Sequence, residues 1–336
     1  MRLRLTLLAL PLALAALGLA ACGGSSDDLE SATTAKAEDG ALPATVEHKY
    51  GTTTIEEAPK RIVVTGLREQ DALLALGDAP VATTEWYGKK PGAIFPWAER
   101  ALGESPLPEV LDNTDGIQFE EIARLDPDLI VSIYSDLTEQ EYGTLSQMAP
   151  TLAPPADTID FGSTWDQELA MVGEAVGKPA AAEEIQDETE DLLASTAAEY
   201  PEFEGRTAAY ATFYDGVYVY GPKDPRTLML NELGFEFPEG LKEVGGDQFG
   251  GNIPDEEVDR LDLDVTVWFA DPGLEAKIKE HPVYRGLAVR RDDRDLFMAE
   301  KGEVYDATTF VSPLSIPVLA DRLPSLLSRA LRGEAG

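Results

Sequence analysis

Residues 120–131 read EEIARLDPDLIV and residues 256–267 read EEVDRLDLDVTV, with seven of twelve positions identical. One structural unit therefore occurs twice in the chain, and the fold must be built from two related halves. In each copy acidic residues open the segment. Ile122 with Leu125, and Val258 with Leu261, then place apolar side chains on one helical face, and a β-branched ending follows. That pattern predicts a short helix running into a buried strand. A helix followed by a strand in both halves implies two α/β lobes, and the interface between lobes is where ligand sites concentrate.

The rest of the chain fits this plan. Thr45 to Ile55 alternates around Gly51 and predicts a β-hairpin, followed by a strand over 62–65. Glu69 to Leu76 predicts a helix closed by Gly77, whose missing Cβ suits a C-cap, and the next strand falls at 80–83. Strand, helix, strand in that order implies a parallel crossover. Further helices are expected at 139–148 and 165–176, the latter leading into a long helix over 178–200. Ile185, Thr189, Leu192, Thr196 and Tyr200 form a narrow apolar stripe along that long helix, and Pro201 ends it. About 20 helical residues span about 30 Å, enough to cross between two lobes. The second half restarts with strands 207–213 and 217–220 around a turn at Asp215-Gly216, then a helix 225–233 closed by Gly234, and strands at 264–269 and 295–299. Ser312 followed by Pro313 is a helix start, with Ser as N-cap and Pro at N1, and the terminal helix runs to about Leu331. The expected fold is α/β: two Rossmann-like lobes joined by one long α-helix, with a ligand cleft between them.

The amino terminus carries an export pattern. Arg2 and Arg4 precede an apolar run that ends in Ala20-Ala21-Cys22, too short for a confident membrane span. Cysteine after two alanines resembles the bacterial lipoprotein cleavage signal, which implies lipidation of Cys22; an ordinary signal peptide with an incidental cysteine is the alternative. Several acyl chains on one residue would anchor the protein stably at the outer membrane face. The expected division is a signal peptide at 1–21 and a lipid-anchored flexible tether at 22–44. An N-terminal lobe at 45–177, an interlobe helix at 178–201 and a C-terminal lobe at 202–336 follow. Cys22 is the single cysteine, so an exported chain has no internal disulfide and depends on its cores.

The net charge of −35 repels nucleic acid and anionic lipid. The charge is dispersed, as on a heavily solvated surface. Catalytic signatures are missing: the two histidines, His48 and His281, belong to no nucleophile–base motif, and there is no Gly-x-Ser-x-Gly, Walker or His-Glu-x-x-His pattern. Carboxylates are numerous enough to hide a glycosidase pair, so a secreted hydrolase stays open as an alternative. Two histidines and a lipidated cysteine are a poor set for a bare transition metal. Iron held by an organic chelator is compatible.

Several segments together carry a family resemblance. They are the export cysteine, the hairpin followed by Pro59-Lys60-Arg61-Ile62-Val63-Val64, the Leu76-Gly77 ending and Phe119-Glu120-Glu121-Ile122 with Leu125-Asp126-Pro127-Asp128-Leu129-Ile130. Ala149-Pro150-Thr151 and Phe310-Val311-Ser312-Pro313-Leu314-Ser315 complete the set. Their order and spacing, from Thr45 to Leu331, resemble the periplasmic binding proteins that serve ABC importers of ferric siderophores, haem and cobalamin. The late Ser-Pro-Leu-Ser segment most resembles actinobacterial siderophore lipoproteins. The resemblance implies a non-enzymatic, monomeric receptor without a cofactor, whose ligand is a ferric siderophore, with haem or cobalamin as alternatives. It implies membrane attachment through Cys22 and delivery to an ABC permease dimer with its ATPase. It also implies docking through one surface glutamate per lobe, by position in the motif Glu120 and Glu256. The same acids could instead serve only their helix N-termini. For the ligand, aromatic and arginine side chains near strand ends are the candidates: Arg68, Trp86, Tyr87, Trp97 and Tyr134 in the first lobe, and Tyr214, Tyr218, Arg226, Phe249, Trp268 and Tyr305 in the second. Aromatic walls would bury a chelate's carbon skeleton while Arg or Tyr donates to its oxygens. Trp86-Tyr87, directly after a strand in a polar loop, is the foremost pair.

Overall fold

A computed structural model of the chain describes residues 36–335 except Asp215, Asp247, Glu300 and Lys301. The export signal, Cys22 and the first part of the tether lie outside the described residues. The first half contains β1 (Ala44–His48), β2 (Gly51–Ile55), β3 (Ile62–Val64), α1 (Gln70–Ala75), β4 (Ala82–Thr84), α2 (Glu99–Leu102) and β5 (Glu109–Leu111). It continues with α3 (Phe119–Arg124), β6 (Leu129–Val131), α4 (Glu139–Leu145), β7 (Thr151–Leu152) and α5 (Trp165–Ala175). The long helix α6 (Pro179–Glu199) follows. The second half contains β8 (Ala208–Phe213), β9 (Val217–Tyr220), α7 (Pro225–Glu232), β10 (Gly250–Ile253), β11 (Val265–Phe269) and α8 (Pro272–Glu280). It ends with α9 (Ala288–Arg291), β12 (Asp295–Met298), α10 (Glu303–Phe310) and α11 (Ile316–Leu331).

Two separate five-stranded sheets result, ordered β5-β4-β3-β6-β7 and β10-β9-β8-β11-β12, with the β1-β2 hairpin apart from both. The duplicated segments end in β6 and β11. Each lies beside the first strand of its own sheet, β3 and β8, and pairs with it in parallel. The two copies thus occupy equivalent places in different sheets. Each sheet is buried on both faces, which explains strands that read as continuous apolar runs. Ile62, Val64, Leu129 and Val131 face one core of the first lobe, and Val63, Ala82 and Ile130 face the other. In the second lobe Tyr210, Val265, Val267 and Phe269 face one core while Ala209, Ala211 and Trp268 face the opposite one.

α6 begins in the core of the first lobe, through Ala182 and Ile185, and ends in that of the second, through Leu193. Its inward stripe includes Leu193, not the adjacent Leu192, because the 3.6-residue period carries the contact line from Thr189 to the residue four positions on. The start of α6 is fixed: Lys178 Nζ donates to Leu76 O at 2.8 Å and pairs with Asp78 at 2.6 Å in a buried site. The Glu38 carboxylate accepts the N–H groups of Ala180 and Ala181, two donors that a helix start leaves without intrahelical partners. The tether expected to extend to 44 is therefore packed over its last residues, with Glu38 N–H also bonded to Gly177 O.

Three further details differ from expectation or refine it. The second repeat's helix is a 3₁₀ turn over Asp255–Leu261, closed by bonds such as Asp262 N–H to Asp259 O. Gly77 and Gly234, after α1 and α7, have φ of 78° and 103°, the left-handed region that a C-cap glycine supplies without strain. The regular part of α11 starts at Ile316, yet the cap expected at Ser312 is present one turn earlier. Ser315 N–H donates to Ser312 Oγ at 3.1 Å and Ser312 N–H to Ser315 Oγ at 2.9 Å, a reciprocal box around Pro313.

Candidate functional site

In the first lobe the loop after β3 supplies Leu67, Arg68 and Glu69, and the loop after β6 supplies Tyr134. Glu69 binds these loops together. Its Oε1 accepts the backbone N–H groups of Ile133 at 2.5 Å and Tyr134 at 2.7 Å, and its Oε2 accepts that of Arg68 at 3.0 Å. Burial, and then the charge of nearby Glu168, push the Glu69 carboxyl up to about 7. Beneath Tyr134, Arg68 lies 3.9 Å from the ring centre and is fully buried. Glu168 takes its Nε and Nη2 at 2.5–3.1 Å, and the carbonyl oxygens of Ser163 and Phe310 take further donors. Burial opposes the Arg68 charge, and Glu168 outweighs it, so the guanidinium pKa is raised.

The bond to Phe310 belongs to a seam between the lobes. Phe310, at the end of α10, packs against Trp86, Tyr87, Phe95 and Trp97 of the first lobe, with ring centres 4.5–6.4 Å apart. Asp71 of α1 accepts from Ser312 Oγ at 2.5 Å and from Trp97 Nε1 at 2.7 Å. Burial raises the Asp71 carboxyl to about 6, against the pull of those two hydrogen bonds. Between Phe310 and Ser312, Val311 sits at φ 45°, a conformation that costs a β-branched residue strain and persists only where surrounding contacts enforce it.

The second lobe contributes the β8–β9 hairpin, the start of α7 and the residue before β10. Asp224 is the N-cap of α7 and accepts Arg226 N–H at 2.8 Å. The same carboxylate forks onto Arg226, meeting Nε at 2.7 Å and Nη2 at 2.6 Å. Arg226 lies 4.1 Å over the Tyr220 ring. Burial disfavours its charge, and the Asp224 carboxylate more than offsets this. Tyr214 is 66% exposed and meets Tyr218 edge-on, and Tyr218 in turn packs on Phe249. Burial and then the charge of Asp224 push Tyr218 up to about 12, so it remains a neutral phenol.

Between these walls lies a cavity of about 210 Å³ lined by Leu67, Trp86, Tyr134, Phe161, Tyr214, Tyr220, Arg226 and Phe249. A second, more polar hollow of about 260 Å³ shares Leu67 and Phe161 with it and adds Thr65, Ser132, Ser135, Asp136 and Glu141. Of the sequence candidates, Trp86, Tyr134, Tyr214, Arg226 and Phe249 meet at the cavity, and Tyr218 supports its rim. Arg68 does not line it and acts as a buried counter-ion behind Tyr134. Tyr87, Trp97 and Tyr305 belong to the seam. Tyr87 packs on Phe95 and edge-on to Tyr305, and Trp97 stacks on Phe95.

Trp268 is 0% exposed, donates Nε1–H to the Tyr284 hydroxyl at 2.7 Å and is a core residue of β11. Its even register position points it into the core on the sheet face away from Phe269. Phe161 and Tyr220 were not among the candidates. Tyr220 shares a strand face with Tyr218, two residues apart, and Phe161 is the lone aromatic of a Pro- and Asp-rich loop, so both carried a readable signal. Glu120 and Glu256 are exposed at the head of the paired segments. His48 is buried against Tyr142 and hydrogen-bonded to Thr53, a packing role. Among the described residues no group of three His, Cys, Asp or Glu side chains is placed to hold a metal ion.

Residues 62–293 match the family model described as periplasmic binding protein. The chain belongs to that family. Its members bind and present substrates and are not enzymes. This periplasmic binding protein is 27% identical over 274 residues to a protein of Bacillus subtilis described as a probable siderophore-binding lipoprotein, covering 80% of this chain and 79% of the relative. Among solved structures it is similar to a periplasmic solute binding protein from Mycobacterium smegmatis, with 36% identity, a TM-score of 0.76 and coverage of 86% and 98%. It is also similar to PiaA from Streptococcus pneumoniae in complex with ferrichrome, with 25% identity, a TM-score of 0.77 and coverage of 86% and 99%. The family places the chain among extracytoplasmic binding proteins.

Proposed function

We propose that this binding protein is held at the outer membrane face through lipidated Cys22, captures a ferric siderophore between its lobes and delivers it to an ABC permease dimer with its ATPase. The observation that carries the reading is the interlobe cavity, in which six aromatic rings and one arginine converge from both lobes. Rings of this kind bury the organic skeleton of a preassembled chelate, while Arg226 and the neutral tyrosine hydroxyls donate to its oxygens. The relative named for siderophore binding and the neighbour solved with ferrichrome support the same ligand class. In this reading residues 45–177 and 202–336 are the two lobes, residues 178–201 are their connection, and the segment after Cys22 is the tether.

Trp86 in the lining makes binding directly observable. Titrating the protein with ferric hydroxamates, catecholates and carboxylates, with haem and with cobalamin should quench tryptophan fluorescence for at least one ferric chelate at micromolar concentration. Silence across the whole panel, with no shift in melting temperature, would end the proposal. For delivery, the exposed Glu120 and Glu256 are proposed to meet the two halves of a symmetric permease. Reversing both charges, E120K with E256K, should abolish uptake by cells and leave ligand affinity unchanged. A fall in affinity would instead assign these acids to the pocket.

A further inference from the structure

The relatives do not settle which chemical class of chelate the cleft takes, and the charge distribution in the cleft does bear on it. Among the described residues lining the main cavity Arg226 is the one cation, and both of its bonds to Asp224 engage the same carboxylate in a fork. Arg68, behind the wall, is matched by Glu168 and shielded from the cavity by the Tyr134 ring. The adjoining hollow contributes Asp136 and Glu141 and, among its described lining, no cation. The protein as a whole carries −35. Among its described lining residues the cleft is thus electrically neutral at Arg226 and negative around it.

An anionic chelate entering such a site would lose hydration and find no uncompensated positive charge in return. Three hydroxamates each bring a single negative charge and balance ferric iron, whereas three catecholates leave the complex triply negative and two citrates leave it anionic. We propose that this cleft selects ferric chelates of zero or positive net charge, the trihydroxamates, and that Asp224 enforces the selection by neutralising Arg226. This rests on the siderophore reading above and names its substrate class. Asp224 is then a specificity-determining residue that need not touch the ligand. Freed from it, the Arg226 guanidinium would be the charge-assisted donor that an anionic chelate lacks.

The wild-type protein decides the first part. Titrated with ferrichrome (neutral), ferrioxamine B (cationic), ferric dicitrate and ferric enterobactin (both anionic), it should bind at least one trihydroxamate about a hundredfold more tightly than either anionic complex. An anionic chelate bound within about tenfold of the best trihydroxamate would overturn the selection while leaving siderophore capture intact. Failure of every chelate would overturn both. The second part is read from D224N, because asparagine caps a helix as well as aspartate and keeps the acceptor for Arg226 N–H. With folding checked by circular dichroism, D224N should narrow the preference for trihydroxamates by about tenfold or more through tighter binding of the anionic chelates. An unchanged ratio in the folded variant would remove Asp224 from the role.

Discussion

The two lobes use the same strand order to build walls of different kinds. On the side of β3 away from β6 the first lobe continues in parallel through β4 and β5, whereas the second lobe turns back through the antiparallel strands β9 and β10. A parallel crossover returns the chain through a helix, and so the loops after β3 and β6 lie side by side and can be tied by one buried carboxylate, Glu69. A hairpin returns directly and leaves its turn exposed, so Tyr214 and Tyr218 are held by ring contacts with each other and with Phe249. The first wall is tied from loop to loop by buried charge and backbone hydrogen bonds, whereas the second keeps its buried pair, Arg226 with Asp224, within the start of α7 and leaves its hairpin tip to edge-on and tilted ring contacts at the surface. A rigid wall paired with an adaptable one suits a receptor whose cargo is large and preassembled.

The largest effect should come from breaking the fixed wall at its ion pair. In E168Q the Arg68 guanidinium keeps its charge in a site with no exposure and loses its carboxylate. Removing one partner of such a pair costs about 3–5 kcal/mol. Chemical denaturation of wild type and variant measures this directly. A loss below about 1 kcal/mol would mean that the charge network is not what holds the first wall.

Next comes the pH response of Glu69. Its folded pKa, about 7, lies above the ordinary carboxyl value of 4.5, so the folded protein holds this proton over a range in which the unfolded chain has released it. The contribution of Glu69 to stability is therefore greatest at low pH and declines as pH rises from about 4.5 to 7. Asp71 adds the same sign between 3.8 and about 6. Measured as the difference between wild type and E69Q, which cancels the other carboxylates, stability should fall by roughly 2–3 kcal/mol from pH 4.5 to 7. A flat or rising difference would show that the backbone N–H groups of Ile133 and Tyr134 keep the carboxylate ionised, and that the first wall is held by a full charge.

These buried charges also mark the limit of what the sequence discloses. The duplicated twelve-residue segment placed β6 and β11 correctly in matching positions, and the apolar period of α6 located the connection between lobes, because both signals are local and repeat. The cleft aromatics were partly legible: Trp86, Tyr134, Tyr214 and Phe249 follow or precede strands in polar loops. Arg68 looked the same as Arg226 in sequence, an arginine near a strand end. Its partner lies 100 residues away among 62 acidic residues, and nothing local selects Glu168 from the others. Trp268 misleads for the complementary reason: a strand buried on both faces gives no alternation from which to read its direction. The 3₁₀ form of the second repeat was equally hidden, since its sequence has the same acidic opening and apolar pair as α3.

The smallest expected change in stability belongs to the adaptable wall, and it is the sharpest test of the comparison. Tyr214 is exposed at the tip of a hairpin, and truncating an exposed side chain away from a core alters stability by no more than about 0.5 kcal/mol. The same ring lines the cavity, where an aromatic contact contributes about 0.5–1.5 kcal/mol beyond its buried area. Y214A should therefore unfold at the same denaturant concentration as wild type while binding its ferric chelate roughly tenfold more weakly. If stability and affinity fell together, the hairpin would be a structural part of the second lobe and the two walls would be alike. If neither changed, Tyr214 would stand outside the binding surface, and Tyr220, Arg226 and Phe249 would have to form the second wall by themselves.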